Sequence, residues 1–229
     1  MNESLNDLTA VRGGQGKSKE LPIKVKLGEQ IVEGGGERKV YRITIVLDKK
    51  EIPAVLKTMT SEETKQEYEN YQICKNAGLE VPSLFRVTEK GVVMSDMTDG
   101  GKRLVISINE INIRDDIEKR RKLDTFIKKH PTWLETVMVT DLNDRLVMEQ
   151  LKQIIGLADN SGILVHPDCY FLVFSSNGEL IIRLGDFGGI RKNIKGDTSE
   201  DVRSFNETMS EAFVGKAKQF QAALRERRV

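Results

Sequence analysis

Residues 161–190 read SGILVHPDCYFLVFSSNGELIIRLGDFGGI, and this pattern decides how the rest of the chain is read. Two short apolar runs, Phe171 to Phe174 and Leu180 to Ile182, flank Ser175-Ser176-Asn177-Gly178. Asn-Gly between apolar runs is the strongest short-range hairpin signal, because both residues tolerate the positive φ of a tight turn. Asp168 precedes the first run and Asp186 follows the second. Pairing the strands therefore brings both carboxylates towards one end of a hairpin. Two acids beside the flexible Asp186-Phe187-Gly188-Gly189 turn suit a divalent cation, which takes hard oxygen ligands, and a proton acceptor.

Upstream, Ile23, Val25 and Leu27 alternate with Lys24, Lys26 and Gly28, a strand pattern. It continues through Gln30-Ile31-Val32 to Gly34-Gly35-Gly36 and resumes at Val40 to Val46, which makes a second hairpin. Glycines let backbone amides approach a phosphate closely, although the same three residues also suit a plain hairpin tip. After the charged turn at residues 48–51, residues 52–57 (IPAVLK) form a short strand ending in Lys57. A lysine on the inner face of such a strand needs an anion. The alternative lays its stem along the strand with the head in water.

A helix starts at Ser61, read as its cap, with acids in the first turn and Gly78 after its end. Tyr68, Tyr71, Ile73 and Cys74 are its expected inner stripe. Glu67 is the expected partner of Lys57, with Glu69 as the runner-up. The two point ~200° apart at ~100° per residue, so only one can face inward. Residues 84–88 and 91–94 are two further strands, turned at Glu89-Lys90-Gly91. Residues 115–122 are a charged, solvated helix face, His130-Pro131 is a breaker and Trp133 a core candidate. Leu142, Leu146, Val147, Leu151, Ile154, Ile155 and Ala158 form a helical stripe that ends at Asn160-Ser161-Gly162.

In this order the motifs resemble the protein-kinase superfamily over roughly residues 22–215. The turn Gly34-Gly35-Gly36, leading into Val40-Tyr41, resembles the glycine-rich loop, with Arg38 where a final glycine would fall. Ala54-Val55-Leu56-Lys57 resembles the lysine strand. Val92-Val93-Met94-Ser95-Asp96-Met97 resembles the hinge, and His166-Pro167-Asp168 with Asp186-Phe187-Gly188 the catalytic and metal loops. The eighteen positions between the two aspartates agree with the family. Residues 77–82 (AGLEVP) are similar to the small-molecule kinase branch, and residues 199–206 to a helix whose aspartate, here Asp201, braces the catalytic loop backbone.

The resemblance implies an α+β, bilobal protein-kinase-like fold. A flexible tail (1–20) leads to an N-lobe (21–98) with a five-stranded antiparallel sheet and one helix. A reduced, mainly helical C-lobe (99–229) carries the catalytic-loop hairpin. It also implies ATP and Mg²⁺. Lys57, held by Glu67, orients the phosphates, and Gly34, Gly35 and Gly36 cover them. The backbone of Ser95, Asp96 and Met97 binds adenine, Asp186 holds the metal and Asp168 accepts a proton from the acceptor hydroxyl.

Four departures bear on activity. Val173 stands five positions after Asp168, where the family has a metal-binding asparagine, so a single ion is expected. Tyr170 replaces a lysine, and Pro167 an arginine. Only fifteen positions separate Asp186 from Asp201, without Ala-Pro-Glu, so the usual peptide platform is missing. The expected function is transfer of the ATP γ-phosphate to a hydroxyl, with a protein among the candidate acceptors. The alternatives are a kinase-fold module that binds nucleotide or protein without transfer, and nucleotidyl transfer on the same fold.

Composition sets the remaining bounds. The net charge of +1 provides no general field for nucleic acid or a membrane surface. No apolar run reaches the ~18 residues of a membrane span, and residues 1–19 lack a signal-peptide core. Cytoplasmic residence is the expectation, although delivery without a cleaved signal leaves no mark in the sequence. Cys74 and Cys169 are expected as free thiols, and the two histidines with ungrouped cysteines give no zinc pattern.

Overall fold

Apolar–polar alternation builds the first half of the chain. The computed structural model describes residues 24–33, 39–47, 49–112, 115–193 and 197–227. The expected tail at 1–20 and the phosphate-loop candidates Gly34, Gly35 and Gly36 lie outside them.

Strands β1 (Lys24–Glu33), β2 (Lys39–Leu47) and β3 (Lys50–Thr58) form an antiparallel meander. With β4 (Leu84–Thr88) and β5 (Gly91–Ser95) they make a five-stranded sheet in the order β1-β2-β3-β5-β4. Ile43, Ile45, Ala54, Leu56 and Val93 fill the core on one face. Strand side chains alternate with period two, so Val55 and Lys57 project from the other face. The β1–β2 register slips between Leu27 and Gln30. A Cβ at Gly28 would stand 2.6 Å from the Arg42 carbonyl oxygen, so this irregularity needs glycine.

Helix α1 (Ser61–Asn76) follows β3. Its cap is Thr60, one residue before the expected Ser61. The Thr60 N–H donates to Glu63 Oε2 at 3.0 Å, and Thr60 Oγ1 accepts from the Glu63 N–H at 3.3 Å. This reciprocal arrangement needs an acid three residues after the cap. Thr60 has Glu63 at that spacing, whereas Ser61 has Thr64. Tyr71 and Cys74 are buried as expected, but Tyr68 is exposed.

The described chain divides into two compact units. One comprises residues up to Tyr68 together with Pro82–Gly100, and the other Glu69–Val81 with Gly101 onwards. The division passes through α1, between Tyr68 and Glu69.

The second unit holds a three-stranded antiparallel sheet in the order β6-β8-β9, from β6 (Arg103–Ser107), β8 (Tyr170–Ser175) and β9 (Leu180–Leu184). A smaller pair joins β7 (Ile163–Val165) to β10 (Ile190–Lys192). The helices are α2 (Ile108–Ile111), α3 (Asp116–Lys129), α4 (Leu134–Val139), α5 (Arg145–Asn160) and α6 (Ser199–Arg227). Helix α6 buries a long apolar stripe that includes Val202, Phe213, Ala217, Phe220 and Leu224. No helix of the described residues is long and apolar enough to cross a membrane.

Two expectations about α5 change. Leu142 is buried but precedes the helix, whose cap is Asp144, and Leu146 in its first turn is exposed. Periodicity alone extends a stripe through a cap because it does not see where the backbone leaves the helix. Gln150 on α5 does work the stripe did not reveal. It donates to the Leu180 carbonyl at 3.2 Å and accepts from the Ile182 N–H at 2.8 Å, so it covers the free edge of β9. The architecture is α+β and protein-kinase-like: five-stranded antiparallel sheet with one helix, then a mainly helical unit with an acid-flanked hairpin.

Candidate active site

In the first unit, β3 and the first half of α1 meet at one charged pair. Lys57 Nζ contacts Glu67 Oε1, with side chains 15% and 6% exposed. The runner-up, Glu69, is exposed. Helix geometry explains the choice, since Thr64, Glu67, Asn70, Tyr71 and Cys74 share the buried face. A buried pair in which each charge neutralises the other also holds an ammonium in a fixed place, which a phosphate can share.

The expected hinge is a built turn. Its side chain of note is Asp96, which is buried, accepts from the Thr98 N–H at 2.8 Å and the Thr98 hydroxyl at 2.7 Å, and forms an ion pair with Arg42, whose Nε lies 3.5 Å away. The Asp96 N–H donates to the Pro53 carbonyl at 3.2 Å, and its carbonyl accepts from the Asp99 N–H at 3.1 Å. Ser95 is likewise engaged: its N–H donates to the Ser83 carbonyl at 2.8 Å, and its hydroxyl accepts from the Ser83 N–H at 2.9 Å. Asp96 and the Ser95 amide are therefore spent on holding the turn. Met97, half-buried, is the expected hinge residue not engaged in these bonds.

In the second unit, the hairpin is closed at the Tyr170–Leu184 pair. Beyond it the Gly185 N–H donates to the Cys169 carbonyl at 3.0 Å, so Asp168 and Asp186 flank the same end, as the sequence predicts. Asp168 sits on a short 3₁₀ turn, Pro167–Cys169, with its side chain 53% exposed. His166 Nδ1 lies 3.3 Å from Asp168 Oδ2. Asp186 is half-buried, and its Oδ1 accepts from the Gly188 N–H at 3.3 Å.

The loop after Asp186 is anchored at several points. Phe187 is fully buried and packs edge-on against Tyr71, with ring centroids 5.4 Å apart. Asn70 Nδ2 donates to the Phe187 carbonyl at 2.7 Å and to the Ile190 carbonyl at 3.0 Å. The His166 N–H donates to the Gly189 carbonyl at 3.2 Å. A Cβ on Gly189 would stand 2.9 Å from Cys169 Sγ and 3.0 Å from His166 Cβ, so the close approach of the two loops requires glycine there. Burial pushes the Cys169 thiol well up, with the Asp186 carboxylate as the next cause, which keeps the thiol protonated and inert. Burial likewise raises the Tyr170 phenol, whose ring stacks on Phe213.

The expected brace, Asp201, does something else. It is exposed, and its Oδ2 accepts from the Thr198 N–H and hydroxyl, each at 2.8 Å, which caps α6. Those hydrogen bonds hold its carboxyl below the usual aspartate range. The bracing residue is Asn206, fully buried on α6. Its Oδ1 accepts from the Val165 N–H at 2.8 Å, and its Nδ2 donates to the Ile163 carbonyl at 2.8 Å and to Asp159 Oδ1 at 2.7 Å. A buried asparagine on an apolar helix face was the available signal, since such a group must be hydrogen-bonded.

The donor set bears on a cation. Asp186 offers a hard oxygen ligand on an anchored loop, which fits an ion that otherwise keeps waters and phosphate oxygens. Val173 lies within β8, paired with Val105 and Ile181 and buried, and adds no ligand. Among the described residues, no group of three or more His, Cys, Asp or Glu side chains is placed to hold a metal alone.

No family model and no curated protein matches the chain. Similar solved structures include the proinflammatory kinase CtkA of Helicobacter pylori, at 14% identity over 65% of this chain and 55% of that one, TM-score 0.39. The Rio2 kinase of Chaetomium thermophilum, solved as an ADP/Mg²⁺-phosphoaspartate complex, is 12% identical over 88% of this chain and 71% of that one, TM-score 0.42. A rhoptry kinase of Toxoplasma gondii is 11% identical over 78% of this chain and 49% of that one, TM-score 0.41. The chain thus spans about half the length of two of the three. All three scores lie below 0.5, and the fold assignment stands on the chain's own element order and sheet topology.

Proposed function

We propose that the chain is an ATP-dependent phosphotransferase that moves the γ-phosphate to a hydroxyl acceptor, with residues 21–98 and 99–229 as its two lobes. The observation that carries this reading is the buried Lys57–Glu67 pair, a lysine held by a helix acid on the sheet face opposite the apolar cluster. Independent support comes from the second unit, where Asp168 and Asp186 flank the open end of one anchored hairpin.

In this reading Lys57 holds the nucleotide phosphates and Glu67 fixes Lys57. Asp186 holds one Mg²⁺, with the rest of that ion's shell from phosphates and water. When bound, the ion neutralises charge on the phosphates being transferred. Asp168 accepts the proton of the attacking hydroxyl. Met97 is the hinge residue assigned to the adenine edge, because Asp96 is consumed by its own turn. Gly34, Gly35 and Gly36 keep their proposed place over the phosphates. Catalysis by such a set is positioning plus charge stabilisation. A second reading, nucleotide binding without transfer, is favoured by Val173, which turns the family's second metal position into strand core.

The test is incubation with γ-labelled ATP and Mg²⁺, following label on the protein and on released phosphate. Wild type transfers label and Asp168→Asn does not, while both bind ATP alike. Equal transfer by Asp168→Asn overturns the assignment of the base.

A further inference from the structure

A cleft of ≈ 400 Å³ opens in the second unit between the turn that joins α4 to α5 and the C-terminal half of α6. The turn contributes Val139, Asp141 and Leu142, and the helix Lys218, Gln221 and Arg225. The volume is in the ~300–1,000 Å³ range of ligand clefts. None of these residues belongs to the candidate active site.

The cleft is held together by neutral groups. Gln221 is buried, and its Nε2 donates to the Val137 carbonyl at 2.6 Å and to the Thr140 carbonyl at 3.0 Å. Arg225 donates through Nε to the Met138 carbonyl at 2.8 Å and through a terminal nitrogen to the same oxygen. Lys218 Nζ donates to Asn143 Oδ1 at 2.5 Å. The carbonyls at the end of α4 are thus capped, and both cations remain exposed.

Elsewhere on α6 cations find acids, as Arg203 does with Glu207 and Arg227 with Asp124, each at 2.9 Å. Among the described residues, Lys218 and Arg225 have no such ion pair. An ammonium has three donors and a guanidinium five, so each keeps donors to spare. Asp141 is the one acid of the lining, and its Oδ1 accepts from the Asn143 N–H at 2.8 Å. Across from the cations, Val139 is 70% exposed and Leu142 is buried beside it. One wall therefore offers positive charge and the other an apolar side chain left in water.

We propose that this cleft docks an acidic peptide segment of a protein acceptor, lying extended with acids and apolar residues in alternation. Side chains of an extended segment alternate between two faces, so its acids meet α6 while its apolar residues cover Val139. Lys218 and Arg225 are seven positions apart, about 10 Å on a helix, and acids two residues apart repeat every ~7 Å, so successive acids reach both cations. A single small anion does not span that separation. A nucleic acid would use aromatic side chains for stacking, and this lining has none. The segment between Asp186 and Asp201 is too short for the usual peptide platform, so a protein acceptor needs another hold. The proposal rests on the phosphotransferase reading for the peptide's purpose, not for its binding.

The test is fluorescence anisotropy of the full chain with a fluorescein-labelled peptide of alternating glutamate and valine. Controls replace glutamate by lysine or valine by serine. The acidic peptide is expected to bind, more weakly at high salt, and the lysine peptide not to bind. Lys218→Glu should weaken binding by about tenfold or more, and Arg225→Gln, which keeps an amide donor for the Met138 carbonyl, by about threefold to tenfold. Val139→Ser and the serine peptide should each weaken it by about threefold. Val139 lies at the surface, so its variant keeps the test open if a charge variant fails to fold. Equal binding of the lysine peptide, or wild-type affinity in Lys218→Glu and Val139→Ser, overturns the proposal. Displacement of the peptide by inorganic phosphate, or equal binding of an oligothymidylate, also overturns it, in favour of a small-anion or a general polyanion site. A serine appended to the peptide reads transfer separately. If the peptide binds but wild type labels nothing with γ-labelled ATP, the phosphotransferase reading fails and the docking surface stands.

Discussion

Asn70 donates from one side-chain nitrogen to two carbonyls, those of Phe187 and Ile190, at 2.7 and 3.0 Å. The second half of α1 thereby holds both ends of the loop that begins at Asp186. Asn70 is buried, so its removal takes this donor from the Ile190 carbonyl in the interior, while the Phe187 carbonyl keeps the Ile190 N–H at 3.2 Å. Asn70→Ala is expected to lower stability by about 2 kcal/mol, measured by urea unfolding. It should also raise amide exchange across residues 186–192. Unchanged exchange there would show that the loop is held by other contacts.

Asn206 and Asp201 make a contrasting pair on α6. Replacing Asn206 leaves the Val165 N–H and the Ile163 carbonyl unmatched at full burial, so Asn206→Ala should cost about 3 kcal/mol. Asn206→Asp should be worse, because it turns a carboxylate towards the Ile163 carbonyl and Asp159. Asp201→Ala should have a much smaller effect, confined to fraying of the first turn of α6. Thermal unfolding of the three variants checks the order.

Lys57 and Glu67 are each mostly buried. Lys57→Met strands the Glu67 carboxylate and should destabilise the protein by about 3 kcal/mol, the low end for a buried pair because Lys57 keeps some solvent. The double change Lys57→Met with Glu67→Met should recover much of that loss. Stability measured over the full cycle separates the pair's structural role from any role in binding nucleotide.

Glu110 closes the first turn of α2 by accepting the Ser107 N–H at 3.0 Å. Burial raises its carboxyl above the ordinary glutamate range, against the opposing pull of that hydrogen bond and of Lys129 and Lys122. A raised carboxyl binds its proton more tightly in the folded state. Stability should therefore fall as pH rises from the unfolded value near 4.5 through the folded one. Glu110→Gln should flatten the stability–pH curve over that window. A curve that keeps its slope would assign the dependence to other groups.

The parts of this fold that were legible in the sequence are those set by period and by local chemistry. Strand alternation around Lys57 and the helical spacing of Glu67 fixed their meeting, because a period-two strand and a 3.6-residue helix each present one face. Asn177-Gly178 marked the hairpin whose end carries Asp168 and Asp186. What stayed hidden depends on contacts distant in the chain. Asn206 bonds residues more than forty positions away, and Asp201, the nearer match to a family pattern, was free to cap its own helix. The engagement of the expected hinge residue Asp96 with Arg42 and Pro53 was equally hidden, because only the sheet brings them near. Gly189 carries no pattern of its own, and its need appears only when the His166 and Asp186 loops approach.

The phosphotransferase reading meets its most direct test in calorimetric titration of the purified protein with ATP, with and without Mg²⁺, beside Asp186→Asn. The account predicts binding by wild type that requires Mg²⁺ and is lost in Asp186→Asn. Binding of equal strength without the metal, or no binding under either condition, would contradict it.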